Sequence, residues 1–258
     1  MDPFLFFVVF IGIVGLMVGS FSNVCVHRIP LHISVVSPRS RCPSCGRSIA
    51  WYDNIPLVSW AFLRGKCRHC HSPISVRYPI LELLMGLSWA GLAWHFGFSP
   101  QLLQALVLVS LLWILTLIDL ETGLLPNLLT FPGIAIGLAF SFWLGYWQDA
   151  VIGVVAGYGV FWLVARLFLM VTGREGMGYG DFKLLAMLGA FMGWQALPFI
   201  IFASSLVGAV VGIIFLYVSR KGMRTEIPFG PYLAVAGMAW FLWGESILQW
   251  YAGLIRVG

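Results

Sequence analysis

Residues 4–24 read FLFFVVFIGIVGLMVGSFSNV, a run without a single charged side chain. At 1.5 Å per residue such a helix is about 30 Å long, the hydrocarbon thickness of a bilayer. The run is apolar on every face, which suits lipid and not the surface of a soluble domain. No basic segment precedes it and no small-residue cleavage site ends it, so it reads as a retained anchor and not a signal peptide. Working outward, seven further spans are predicted at about 79–97, 100–118, 124–146, 149–172, 182–198, 200–218 and 229–251. The expected fold is therefore an all-α polytopic membrane protein of about eight transmembrane helices, with one small loop domain outside the membrane. Composition agrees. Of 258 residues, 60% are hydrophobic and 10% charged, where a soluble domain carries about 25% charged. A disordered chain, a solenoid and an ordinary cytosolic enzyme are excluded. Five cysteines are too sparse for a secreted disulfide scaffold.

The net charge of +5 does not point to nucleic acid. Eight of the 15 basic residues (Arg28, Arg39, Arg41, Arg47, Arg64, Lys66, Arg68 and Arg77) lie in the one long loop, 25–78, and in a membrane chain such a cluster reports topology. With that loop in the cytoplasm, the segments 119–123, 173–181 and 219–228 share its side and hold Arg174, Arg220, Lys221 and Arg224, with Lys183 just inside a span. The opposite links near 98–99, 147–148 and 199 hold no Lys or Arg, and only Arg256 in the tail breaks the pattern. Both termini are then expected in the bacterial periplasm, and the basic loop against anionic lipid heads. Gly15/Gly19, Gly133/Gly137, Gly153/Gly157, Gly189/Gly193 and Gly208/Gly212 are small-xxx-small pairs that let helices approach closely.

The loop carries Cys42-Pro-Ser-Cys45 and Cys67-Arg-His-Cys70, with 21 residues between the pairs. Each pair offers two thiolates to one tetrahedral ion, as in zinc ribbons. Gly46 after the first pair and Gly65 before the second suit tight knuckle turns. A cytoplasmic location keeps the thiols reduced. Structural zinc is the expectation; redox cysteines or unrelated thiol pairs are the alternatives, and His69 and His71 are possible substitute ligands. Cys25 is left over as a buried small residue. A loop of this size has little core, so metal would supply much of its folding energy.

Ionisable residues at membrane depth default to function. Asp119 closes the third span in Leu117-Ile118-Asp119-Leu120-Glu121, and Asp181 opens the sixth in Gly178-Tyr179-Gly180-Asp181-Phe182-Lys183. Both lie on the cytoplasmic side at similar depth, so only tertiary packing can pair them. Two carboxylates held together share a proton. One activates water and the other protonates the leaving amine, which is aspartic peptide hydrolysis. Asp181, at a helix N-terminus, is assigned the base and Asp119 the acid, although a jointly titrating pair does not fix that labelling. Gly178 and Gly180 would let a substrate backbone come near. Glu121 reads as solvated, Glu82 as an acid favoured at a helix N-terminus with Arg77 nearby, Arg166 as snorkelling, and Glu245 as interfacial.

These blocks, with Gly19-Ser-Phe-Ser-Asn23, His27-Arg28-Ile29-Pro30, Trp51-Tyr52-Asp53-Asn54-Ile55-Pro56, Arg64-Gly65-Lys66-Cys67, Arg77-Tyr78-Pro79 before Glu82, Leu124-Leu125-Pro126, Gly176-Met177-Gly178 and Pro228-Phe229-Gly230-Pro231, resemble the bacterial type IV prepilin peptidases (prepilin leader peptidase/N-methyltransferase) over nearly the whole chain. The resemblance implies cleavage of the short basic leader of prepilins and pseudopilins after a Gly, on the cytoplasmic side of the inner membrane. It further implies N-methylation of the new amino terminus, usually Phe, with S-adenosylmethionine. It implies catalytic roles at Asp119 and Asp181, kinship with membrane aspartyl proteases carrying G-x-G-D, and a zinc loop tied to methylation. Where the family often has Leu-Pro-Asp, this chain has Leu125-Pro126-Asn127, so that position is no essential acid here. The loop before Cys42 is shorter than in some relatives.

The chain then divides into a first transmembrane helix (1–24), a cytoplasmic four-cysteine zinc loop linked to N-methylation (25–78), and a transmembrane aspartyl peptidase core (79–258). No G-x-G-x-x-G follows a strand, and Gly65 with its surroundings is the candidate methyl-transfer locus. A non-catalytic zinc-ribbon assembly factor of a pilus or secretion system is the competing reading. A proton-relaying transporter would place its acids near the midplane of matching halves.

Overall fold

The structure is a computed structural model that describes residues 2–174, 178–219 and 228–256. Gly176 and Met177 of the motif, and Arg220, Lys221 and Arg224 of the charge pattern, lie outside the described residues. The described chain is helical, with two isolated antiparallel bridges, Arg41 to Ser48 and Lys66 to Pro73, in the loop. The helices are α1 (Pro3–Arg28), α2 (Val58–Phe62), α3 (Arg77–Phe96), α4 (Pro100–Thr122), α5 (Asn127–Leu144), α6 (Trp147–Thr172), α7 (Tyr179–Met192), α8 (Leu197–Ser219) and α9 (Gly230–Arg256), with short 3₁₀ turns at Trp51–Asn54 and Trp194–Ala196.

The eight predicted spans correspond to the eight long helices α1 and α3–α9. Among the described residues, five stretches are long and apolar enough to cross a membrane by themselves: α1, α4, α5, α6 and Trp194–Phe215, which runs through most of α8. The largest departure is at 182–198. There α7 stops after 14 residues at Gly193, whose φ of +78° leaves the helical region, and a 3₁₀ turn leads into α8. Fourteen residues span about 21 Å, short of a bilayer core of about 30 Å. Other ends follow from local chemistry. Asp2 caps α1 by accepting the Phe4 N–H at 3.0 Å, Pro3 opens the first turn, and His27 and Arg28 stand in the last, where the helix dipole favours cations. Gly145 and Gly173 close α5 and α6 in the left-handed conformation.

The chain forms two compact units, Met1–Ile114 and Leu115–Gly258, and α4 contributes residues to both. In the first, α1 packs along α3. A Cβ on Gly19 would stand 2.8 Å from the Cα of Glu82, so the two backbones meet there. In the second, α7 is the central element. From Phe182 to Phe191 all but Lys183 are buried, under α5, α6 and α9. The α6–α7 contact is backbone on backbone, since a Cβ on Gly153 would lie 2.6 Å from the Gly189 carbonyl oxygen. The small pair Gly153/Gly157 thus serves helix approach, as its spacing predicts.

Candidate functional site

The second unit brings Asp119 and Asp181 together. Asp119 lies in the last turn of α4 and Asp181 is the third residue of α7. Both residues are buried, 5% and 9% exposed, and both stand by Leu125, since a Cβ on Gly230, which bonds Asp119, would lie 3.4 Å from that side chain and one on Gly180, next to Asp181, 2.8 Å from it. Asp119 Oδ2 accepts the Gly230 N–H at 2.9 Å. Asp181 stands in the first turn of α7, three residues after Gly178 at the helix N-cap. The Gly230 bond requires glycine, because a Cβ there would sit 2.6 Å from Asp119 Oδ2. Sequence reasoning noted the Pro228-Phe229-Gly230-Pro231 block without giving it this task. A Cβ on Gly178 would lie 3.6 Å from Asp181 Oδ2, whereas one on Gly180 would press on Leu125 at 2.8 Å. Gly178 therefore stands at the acid and Gly180 at the packing between α7 and the chain before α5. Asn127 accepts a hydrogen bond from Lys183 Nζ at 2.6 Å, and that ammonium also lies over the Phe131 ring. Away from the site, Arg166 stacks over Trp162 and Glu245 is exposed.

The first unit gathers the four cysteines. The ligand atoms of Cys42, Cys45, Cys67 and Cys70 all lie within 4.8 Å of one another, and the sulfurs of Cys42 and Cys70 are 3.7 Å apart. A tetrahedral zinc with Zn–S of about 2.3 Å sets sulfurs about 3.8 Å apart, so the cluster fits a single ion. Two matching knuckles build it. Cys42 N–H donates to Arg47 and Gly46 N–H to Cys42. Cys67 N–H donates to Ser72 and His71 N–H to Cys67 in the same way. The turn residue with positive φ is Gly46 (+71°) in one and His71 (+56°) in the other. His71 thus occupies the place that the sequence reading gave to Gly65. Gly65 instead ends α2 at φ +67°, and a Cβ there would meet the Trp60 ring at 2.9 Å. Backbone hydrogen bonds from Cys45 and Ser44 draw the Cys42 thiol down to about 6, ready as a thiolate near neutrality. Arg68 grips Asp53 through three contacts of 2.5–3.0 Å, which hold that carboxyl below its usual range. Cys25 is buried and free, as expected.

Beside the knuckles lies a cavity of about 440 Å³, within the size range of small-molecule sites. Trp60, Asn23 and Glu82 line it together with Arg28, Arg41 and Arg47. Glu82 is not at a helix start, as the sequence suggested: α3 begins five residues earlier, and Glu82 is 7% exposed in its second turn. Its Oε2 accepts the Leu57 N–H at 2.9 Å, fixing a residue whose φ of +59° is unusual for a side chain of that size.

The comparisons agree with both units. Residues 13–96 match the Bacterial Peptidase A24 N-terminal domain, and residues 106–213 match the Type IV leader peptidase family. A prepilin leader peptidase/N-methyltransferase of Stutzerimonas stutzeri is 45% identical over 95% of this chain and 93% of its own length. That of Aeromonas hydrophila is 44% identical over 96% and 94%, and that of Pseudomonas aeruginosa 45% identical over 93% and 91%. No solved structure matches. With such identity along nearly the full length of each relative, the chain belongs to the prepilin leader peptidase/N-methyltransferase family.

Proposed function

We propose that this chain cuts the short basic leader from prepilins and pseudopilins after a Gly, and then methylates the amino terminus so released. The observation that supports the peptidase half is that Asp119 and Asp181, 62 residues apart in sequence, are both buried around Leu125 in the second unit. With one carboxyl ionised and the other protonated, the first takes a proton from water as the oxygen attacks the scissile carbonyl. The second gives its proton to the departing amine. The Gly230 N–H holds Asp119 in place for that exchange, and Gly178 keeps a side chain away from Asp181 Oδ2.

The methyl-transfer half falls to the first unit. Four thiolates holding zinc would fix the two knuckles and, through them, the wall of the cavity. S-adenosylmethionine, when bound, supplies an electrophilic methyl group on a sulfonium. The cavity fits that group by its size, by an unpaired buried acceptor at Asn23 and by arginines on its wall. The assay that tests the whole reading follows cleavage and methylation of a prepilin from the same cell by mass spectrometry. Loss of neither product on removing the acids would reject it.

The two reactions should separate. Gly65→Leu puts a side chain at a positive φ and against Trp60, a wall of the cavity. It is expected to cleave normally and to lower methylation by at least about tenfold, since a displaced wall group costs about 1–3 kcal/mol by overpacking. Equal loss of both products would show that the two sites are one.

The basic loop should face the cytoplasm of an inner-membrane protein. Reporter fusions after residues 60, 176 and 223 are expected to read cytoplasmic, and those after 98, 148 and 199 periplasmic. A periplasmic signal at 60 would put the thiols in an oxidising compartment and reverse the reading.

A further inference from the structure

We propose that Asn23 and Glu82 form a receptor for a primary ammonium group in the wall of the cavity of the first unit, which rests on the methyl-transfer reading above. One hydrogen bond joins α1 to α3 at this point: Asn23 donates to the Tyr78 carbonyl at 3.1 Å, one turn along from the close approach of Gly19 to Glu82. Ser20 and Asn23 are three residues apart on one helix face, and Tyr78 and Glu82 four apart on the other. The close approach at Gly19 brings the two faces together. All four residues line the cavity.

The Asn23 amide has a defined orientation. Its nitrogen donates to two carbonyls, those of Gly19 at 3.3 Å and Tyr78 at 3.1 Å. A flipped amide would point its oxygen at both, so Oδ1 is the atom left over. That oxygen is buried and has no hydrogen-bond partner, on a residue only 2% exposed. A native structure rarely leaves such an acceptor unmet. Glu82, buried in the wall of the same cavity, accepts from the uncharged Leu57 N–H. A buried carboxylate with neutral partners calls for a cation. The missing group must therefore donate hydrogen bonds and carry positive charge. A sulfonium satisfies only the second demand, and an ammonium satisfies both.

Two ligands of the proposed reaction carry that group: the amino-acid end of the methyl donor and the free amino terminus of the cleaved pilin. Arg28, Arg41 and Arg47 on the same cavity wall offer partners for a carboxylate, which the methyl donor has and the pilin terminus lacks.

The test uses the full-length zinc-loaded protein in detergent. S-adenosylhomocysteine and its analogue without the amino group are titrated by calorimetry. A peptide beginning with free Phe and its counterpart without the amino group are titrated by anisotropy. The wild-type protein is expected to prefer the amino form of one ligand by about 10- to 100-fold, the worth of a hydrogen bond to a charged group. The ligand that shows the preference is the occupant. Glu82→Gln, which keeps an acceptor for Leu57, and Asn23→Leu should each erase most of it while binding of the analogue stays level. Metal content and thermal midpoint report the fold. No amino preference in the wild-type protein for either ligand overturns the proposal without any variant. A preference that survives both substitutions in folded protein also overturns it. A wild-type chain that binds neither ligand overturns the methyl-transfer reading itself, whereas tight binding without amino preference overturns the ammonium receptor alone.

Discussion

Asp119→Asn and Asp181→Asn are each expected to lower leader cleavage by about 10³-fold or more, measured as processed prepilin per unit time with purified protein. Hydrolysis requires a proton to leave the attacking water and another to reach the leaving amine within one turnover, and a single carboxyl cannot do both. The expected loss is at the upper end of what general acid–base catalysis contributes, because both functions are removed together. Asparagine is close in shape and, at position 119, retains an oxygen for the Gly230 N–H. The α4–α7–α9 arrangement should thus survive, and metal content should be unchanged. Because methylation needs a free amino terminus, both products vanish on intact prepilin, yet a precleaved peptide beginning with Phe should still be methylated. Near-normal cleavage by either variant would sink the two-acid mechanism. A folded Asp119→Asn protein that cannot methylate the precleaved peptide would instead place that acid in both reactions.

Cys42→Ser and Cys70→Ser should each take bound metal from about one ion per chain to near zero, read by elemental analysis under reducing conditions. Such an ion would be shared by two knuckles that have no strand ladder between them and, among the described residues, one isolated bridge apiece. Metal binding in such small sites is worth about 10 kcal/mol or more of folding, so loss of one thiolate should release the whole of 41–73 and not one knuckle. Methylation is then expected to fall below detection. Protease sensitivity confined to the loop would confirm where the damage lies. Full methylation by a metal-free protein would show that the cavity wall stands without the ion.

The helices were legible because each long apolar run is its own evidence, and the knuckles because four thiols at paired spacing have few other uses. Asp119 and Asp181 could be nominated singly from their depth, although nothing local to Leu117–Glu121 or Gly178–Lys183 says that they meet. That is a property of α7 lying at the centre of its unit. Gly230 is a plainer case. Its task is performed by a backbone N–H, which no side-chain pattern encodes, and only the geometry reveals why a Cβ is forbidden. Glu82 was misplaced because the start of α3 was read from hydrophobicity, whereas Arg77 and Tyr78 already belong to the helix. Asn23 was passed over because a single amide in an apolar run looks like a helix-packing residue until its two donors are traced. Gly65 was assigned to a knuckle by proximity to Cys67, when its partner is Trp60 within the short helix that precedes it.

The 14-residue length of α7 bears on how the protein is made. A segment of about 21 Å is too short to partition into lipid as an independent unit, and this one carries a carboxylate in its first turn. It has to enter the membrane alongside neighbours already in place, taking from α5 and α6 the surroundings that the bilayer would not give it. The contact of Gly153 with Gly189 is therefore an assembly joint as much as a feature of the finished fold. A larger residue at Gly153 should show itself first during biogenesis, as chains left half inserted and degraded. The peptidase molecules that did complete insertion would work at close to the normal rate.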